Sequence, residues 1–232
     1  MITRRPVPAE ARTSFDRFAE SPRYRGRIFE DFIEQRGDHP SNWRDVESSF
    51  AVDSLREYSF PNSQLIDIGS NHLFVTGLCA SRDITTVDVR PRALTSRHET
   101  VVVADAARIP LPDRSFDVVL SLNAIEHFGL GRYGDAINVD ADFNAISEWR
   151  RLMRPGAVMI ISTTISSQGD AIAFNAHRIY SHNTLCCLLA GMTALKEAFY
   201  SNAQRQFSSL NALNTPTFGW DLYLGAWRAP IP

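Results

Sequence analysis

Gln64-Leu65-Ile66-Asp67-Ile68-Gly69-Ser70-Asn71 is the stretch whose reading decides the fold. An apolar run ends at an acidic residue, then passes through a glycine and small polar residues. Leu73-Phe74-Val75 then begins a helix-like pattern. The reading is a buried parallel strand, a tight turn and a helix N-terminus. A turn of this kind at the C-terminal edge of a parallel sheet is where open α/β proteins bind ligands.

The residues of the turn narrow the ligand. A dinucleotide needs three glycines so that backbone N–H groups can approach a pyrophosphate at the helix N-terminus. Here Asn71 and Phe74 stand at the second and third glycine positions, and Asp67 adds negative charge. That disfavours a pyrophosphate and suits a cation. S-adenosylmethionine has no phosphate and carries a sulfonium and an ammonium. Asn71 is tolerable in such a turn because Asn visits positive φ more readily than other non-glycine residues. The contact set expected from the turn is Asp67, Ile68, Gly69, Ser70 and Asn71.

Outward from the turn, strands and helices alternate. Strands are expected at about 64–68, 84–89, 100–104, 116–122 and 158–163, with helices to about Ala80 and from about Asp140 to Met153. In the second helix Phe143, Ile146 and Trp149 share one side, and Arg154-Pro155-Gly156 ends it. Pro91 to Glu99 reads as a short helix or loop, and two prolines keep 109–115 from being helical throughout. This alternation implies a parallel sheet with helices on both faces. After a helix at about 183–190, stopped by Gly191, residues 193–200 and 218–227 read as two strands around a loop at 208–216. Consecutive strands at the end suggest an antiparallel pair on an otherwise parallel sheet.

Before the turn, residues 1–14 carry prolines and arginines and read as a loosely docked arm. Phe15, Phe18, Ile28, Phe29, Phe32 and Ile33 suggest two short helices interrupted at Pro22 and Gly26. Gly37-Asp38-His39-Pro40 reads as a turn. Ser41 then caps a helix through about Tyr58, with Trp43, Val46, Phe50 and Leu55 inward. The expected division is an N-terminal arm and helical cap over 1–60 and a ligand-binding domain over 61–232.

Composition excludes other classes. The chain has 232 residues, 44% hydrophobic and 22% charged, with a net charge of −2, so no global basic field attracts nucleic acid. No stretch approaches the ~18 apolar residues of a membrane span, and Met1-Ile2-Thr3-Arg4-Arg5-Pro6 lacks the apolar run of a secretory signal. Three cysteines, with Cys186 and Cys187 adjacent, read as reduced core residues of a cytoplasmic protein.

Candidate site residues fall at the strand ends. Asp88, 21 residues after Asp67, can accept both hydroxyls of a ribose, with Val89 beside it. Asp105 can accept from an exocyclic amine, and the small Ala106 leaves room for a ring. The stretch from Ser121 to Phe128 borders the crevice where the strand order reverses, so Asn123 faces the ligand. His127 titrates near neutrality and can act as a general base. Glu126 either caps backbone donors or supports the methionine end of a cofactor. Asp135, Asp140 and Asp142 offer hard oxygen ligands for Mg²⁺ or Ca²⁺. More simply, one of the last two starts a helix, and no metal site is assigned.

Leu65-Ile66-Asp67-Ile68-Gly69-Ser70, Val87-Asp88, Ala104-Asp105-Ala106, Phe116-Asp117-Val118-Val119 and Leu152-Met153-Arg154-Pro155-Gly156 together resemble the class I S-adenosylmethionine-dependent methyltransferases over about residues 60–165. The resemblance implies a three-layer Rossmann-like α/β fold: a mostly parallel seven-stranded sheet with an antiparallel terminal strand. It also implies S-adenosyl-L-methionine as cofactor and S-adenosyl-L-homocysteine as product.

The stretches Glu126-His127-Phe128-Gly129-Leu130-Gly131-Arg132-Tyr133-Gly134-Asp135 and Asn175-Ala176-His177-Arg178-Ile179-Tyr180 resemble signatures of an uncharacterised group in that superfamily. Members of that group accompany surface-polysaccharide or sugar-modifying genes, which implies a sugar-like acceptor or polysaccharide precursor. Arg132, Tyr133 and Asp135 can hydrogen-bond polyhydroxylated groups, and Arg178 and Tyr180 sit in the second polar cluster. His177 is the second candidate base after His127. The expected activity is methyl transfer to an oxygen or nitrogen of a small polar acceptor. The rivals are a binding module that has lost methyl transfer, a nicotinamide oxidoreductase, which the missing glycines disfavour, and a nucleic-acid methyltransferase, for which neither motif nor basic patch is present.

Overall fold

The computed structural model describes residues 2–22, 30, 32–35, 42–92, 96–217 and 219–231. The chain forms two compact units, Met1–Ser41 and Asn42–Pro232. In the first, β1 (Ile2–Arg5) pairs antiparallel with β2 (Phe32–Gln35), and α1 (Ala9–Glu20) lies between them in sequence. Arg12 donates to Glu30 at 2.6 Å and to Asp16 at 3.2 Å. Residues 2–5 of the expected loose arm are thus a paired strand, and the second expected helix is replaced at 32–35 by β2. A four-residue strand is too short for apolar spacing to tell it from a helical turn. The expected Gly37–Pro40 turn lies outside the described residues.

The second unit begins with α2 (Trp43–Tyr58). Its start is Asn42, not Ser41. The Asn42 side chain accepts from Arg44 N, while Asp45 accepts from Asn42 N at 2.8 Å, a reciprocal cap that satisfies two helix-end donors. There follow β3 (Leu65–Ile68), α3 (His72–Leu78), β4 (Ile84–Asp88), β5 (Glu99–Val103), β6 (Phe116–Leu122), α4 (Ala141–Leu152), β7 (Met153–Ile165), β8 (Ala171–Ala173), β9 (His177–Ile179), α5 (His182–Leu188), β10 (Thr193–Ser201), β11 (Gln206–Ser208) and β12 (Asp221–Arg228).

The main sheet runs β11-β10-β12-β7-β6-β3-β4-β5. The pairs among β7, β6, β3, β4 and β5 are parallel, and β12 enters antiparallel between β7 and β10. The mostly parallel architecture is as expected, but the sheet has eight strands, not seven. Residues 206–208, at the edge of the loop expected at 208–216, pair antiparallel with β10 as the added edge. β8 and β9 form a separate hairpin.

Side chains alternate across the sheet. On β7, Val158 and Ile160 meet Phe50 and Leu55 of α2 and Val75 of α3, while Met159 and Ile161 meet Ile146 and Trp149 of α4 and Leu185 of α5. Helices therefore cover both faces, and α2, read with the N-terminal cap, is part of this packing. Three finer expectations change. Phe143 is 45% exposed rather than facing inward with Ile146 and Trp149. Arg154-Pro155-Gly156 lies within β7, because α4 has already ended at Leu152. Cys186 and Cys187 are exposed, since α5 turns Leu185 and Leu188 to the core; only Cys79 is buried.

Candidate functional site

β3 and β6 are stitched together at their C-terminal ends. Ser121 Oγ donates to Ile68 O at 2.8 Å, and Leu122 N donates to Ser70 Oγ at 2.9 Å. The chain beyond β3 is thereby held open against β4 on its other side, where Gly69 N donates to Val87 O at 3.0 Å. Gly69 has φ +75°, and a Cβ there would sit 2.9 Å from the Ala124 Cβ. Asn71 does not take the left-handed conformation anticipated for it. It has φ −60° and serves as the N-cap of α3, accepting from Leu73 N at 3.0 Å.

A cleft of about 480 Å³ opens at these strand ends. Ile68 at the end of β3 and Gly69, Ser70 and Asn71 of the first turn line it, with Asp88 and Val89 at the end of β4 and Asp105 and Ala106 after β5. Asn123, His127, Tyr133 and Asp135 complete the expected residues on its wall. Arg44, His72, Arg90 and Arg92 also line it and were not anticipated. Arg44 follows directly from the helix cap at Asn42, which points the first turn of α2 at this edge.

Asp67 is fully buried beneath the turn, and neither carboxylate oxygen has a hydrogen-bond partner among the described residues. Burial pushes its pKa up to about 7, with Ser70 and Arg92 pulling the other way. Asp88 is held by Arg90. Arg90 N and Nε donate to Oδ1 at 2.9 and 3.0 Å, and Nη2 donates to Oδ2 at 3.0 Å. Burial alone would raise the Asp88 pKa; these bonds outweigh it and lower it.

The other end of the cleft is built around His127. Its Nδ1 lies 2.6 Å from Ala176 O and donates to it, which leaves Nε2 as the unprotonated nitrogen of the neutral ring. Burial lowers its pKa, and the Arg132 and Arg44 charges add to this. Arg132 Nη1 donates to the same carbonyl at 3.0 Å. Edge-on aromatic contacts form a row: Tyr133 to His127 at 5.8 Å, His127 to His177 at 6.3 Å, His177 to Trp220 at 6.3 Å and Trp220 to Trp43 at 5.6 Å. His177 thus stands one ring behind His127 and does not line the cleft; burial lowers its pKa too.

Two buried carboxyls support this end. Glu47 of α2 accepts from Asn123 Nδ2, from Ser162 Oγ at 2.9 Å and from Arg44 Nη1 at 3.0 Å, and burial raises its pKa. Glu126 accepts from Thr163 Oγ1 at 3.0 Å and lies 3.8 Å from His127 Nε2; burial pushes its pKa up to about 8. The bonds from Asn123, Ser162 and Thr163 were not legible locally, since each joins residues far apart in the chain.

Arg178 and Tyr180 are placed behind the cleft wall. Arg178 donates to Phe128 O, and to Asn138 O and Val139 O at 3.1 Å each, and pairs with Asp142 at 3.5 Å. The buried Tyr180 hydroxyl donates to Asp142 at 3.1 Å. Asp142 is thereby enclosed. Asp135 instead accepts from Tyr133 N at 3.1 Å within its own loop, and Asp140 opens α4. Among the described residues no group of three His, Cys, Asp or Glu side chains is placed to hold a metal ion, and no helix is long and apolar enough to cross a membrane.

Asp67 and Glu126 bind a proton more tightly folded than unfolded, where carboxyls titrate near ~4. Their contribution to stability is complete below that value and is lost as pH rises through about 7 and about 8. Melting temperature is expected to fall across that window, and D67N/E126Q to flatten the fall. An equally steep profile in the double variant would count against both assignments.

No curated protein matches the chain. Among solved structures, the [4+2]-cyclase SpnF superposes with a TM-score of 0.61 at 15% identity, covering 85% of this chain and 86% of that one. The N-methyltransferase NodS of Bradyrhizobium japonicum, in complex with S-adenosyl-l-homocysteine, gives 0.56 at 16%, covering 94% and 97%. The 1,6-didemethyltoxoflavin-N1-methyltransferase of Burkholderia thailandensis, with S-adenosylhomocysteine bound, gives 0.56 at 13%, covering 86% and 95%. At these identities the likeness is one of fold, the Rossmann-like methyltransferase fold. Residues 85–217, more than half of the chain, match the family model described as Caenorhabditis protein of unknown function, DUF268, and the chain belongs to that family.

Proposed function

We propose that the chain transfers a methyl group from S-adenosylmethionine to an oxygen or nitrogen of a small polar, sugar-like acceptor. The observation that carries this is the common cleft. Gly69, Asp88 and Asp105, at the ends of three adjacent parallel strands, line it together with His127.

The residues fit the cofactor. The cradle at Gly69 has no room for a side chain, which lets a ligand lie close against the backbone. The Asp67 carboxyl, buried beneath the same turn with no hydrogen-bond partner among the described residues, is drawn toward its charged form by a cationic ligand and away from it by a phosphate. Asp88 is the acceptor for ribose hydroxyls, and Asp105 with Ala106 flanks the base. The cofactor supplies an activated methyl on a sulfonium. The chain's own part is positioning and proton removal. His127 Nε2 takes the acceptor proton; His177, the second candidate, stands behind it off the cleft wall and acts only through His127. Arg132, Tyr133 and Asp135 are assigned to the acceptor, joined by Arg44, whose guanidinium stacks 4.1 Å over Trp43. Arg178 and Tyr180 act through the wall that they brace.

A second reading, a binding module without methyl transfer, is favoured by Arg90 occupying Asp88 and by Asn71 at a glycine position. The SpnF likeness also shows the fold carrying a different named activity. Calorimetry with S-adenosylmethionine decides between no binding and binding. Labelled methyl transfer across nucleotide sugars and other small polar acceptors then tests the chemistry. Heat and label transfer are expected; neither heat nor a thermal shift at millimolar cofactor overturns the proposal.

A further inference from the structure

We propose that Arg90 is an internal latch: it occupies the carboxylate meant for a nucleoside ribose, and the ribose must displace it, releasing Tyr133 beside His127. The inference rests on the adenosyl reading of the cleft.

Three donors of one residue engage both oxygens of Asp88. The backbone N–H and Nε both reach Oδ1, and Nη2 reaches Oδ2. The Asp88 side chain is only 12% exposed, so it has little water to turn to, whereas Arg90 is 55% exposed. A vicinal diol brings two donors to the same two oxygens. It can therefore replace the guanidinium without leaving a half-buried carboxylate unsatisfied, and the released guanidinium is solvated at small cost. A ligand without hydroxyls at these positions has no means to displace it.

The other side of Arg90 makes the exchange felt elsewhere. Its guanidinium lies 4.4 Å from the centroid of the Tyr133 ring, a cation–π contact. Tyr133 in turn meets His127 edge-on at 5.8 Å. It belongs to a loop whose neck is closed by Asn138 N donating to Gly129 O at 2.9 Å. Gly129, Gly131 and Gly134 in that loop all have positive φ. A ribose at Asp88 withdraws this nearer cation from Tyr133 and leaves the ring to Arg132, 5.4 Å from its centroid, so filling the nucleoside end loosens the loop at the acceptor end. Loading is thereby ordered, nucleoside first.

The test compares the wild-type chain with R90A by calorimetry, using adenosine and 2′,3′-dideoxyadenosine. R90A is expected to bind adenosine about fivefold more tightly and dideoxyadenosine unchanged. Weaker or equal adenosine binding, or equal tightening of both nucleosides, overturns the latch. Without ligand, R90A is expected to be cut faster by trypsin between Arg132 and Tyr133; an unchanged rate overturns the link to the loop. If neither protein binds adenosine or S-adenosylhomocysteine, the cofactor reading itself falls, an outcome distinct from wild-type binding that R90A leaves unaltered.

Discussion

H127A is expected to lower turnover by about 10²–10⁴-fold while affinity for S-adenosylhomocysteine stays nearly the same. The size follows from how the imidazole is held. Ala176 O fixes the proton on Nδ1, so the neutral ring always presents Nε2 as an acceptor. Its lowered pKa keeps that form dominant at neutral pH. In the wild type, kcat/KM should rise with pH through this lowered value and then level off. In H127A that limb should vanish. Steady-state kinetics over a pH series checks both features, and an unimpaired variant removes His127 from the mechanism.

R178A should cost stability rather than acceptor affinity, by roughly 3–5 kcal/mol, the range for stripping one partner from a buried ion pair. The Arg178 and Asp142 side chains are 11% and 4% exposed. The guanidinium also satisfies three carbonyls of the segment running from the end of the His127 turn to the start of α4. Its loss leaves those carbonyls and a carboxylate without a cation, with the Tyr180 hydroxyl and Phe143 N still donating to Asp142. Urea unfolding measures the loss. A variant as stable as the wild type but with weakened acceptor binding would return Arg178 to the cleft surface.

These two residues mark where sequence reading succeeds and where it stops. Strand limits in the sheet centre were legible because buried parallel strands are continuous apolar runs with sharp ends: β6 occupies the expected 116–122. Strand ends then put Gly69, Asp88, Asp105 and His127 on one edge without further information. Arg178 looks identical on paper to a ligand-facing arginine. Only the fold decides that it turns inward. Glu47 was missed for the converse reason. A glutamate near the start of a helix reads as a solvated residue, and its burial depends on Asn123 and Ser162, 76 and 115 residues away. Cys186 and Cys187 show the same limit: residue type suggests burial, but which helix face points inward is set by Leu185 and Leu188.

The helix that carries Arg44 and Glu47 ends at Tyr58, well ahead of residue 85, where the family match begins. Under the proposed function, the acceptor end of the cleft thus takes Arg44 from outside the matched segment. Two members alike from β4 onward need not handle the same molecule, and grafting this one helix between them would be a direct way to exchange their preferences.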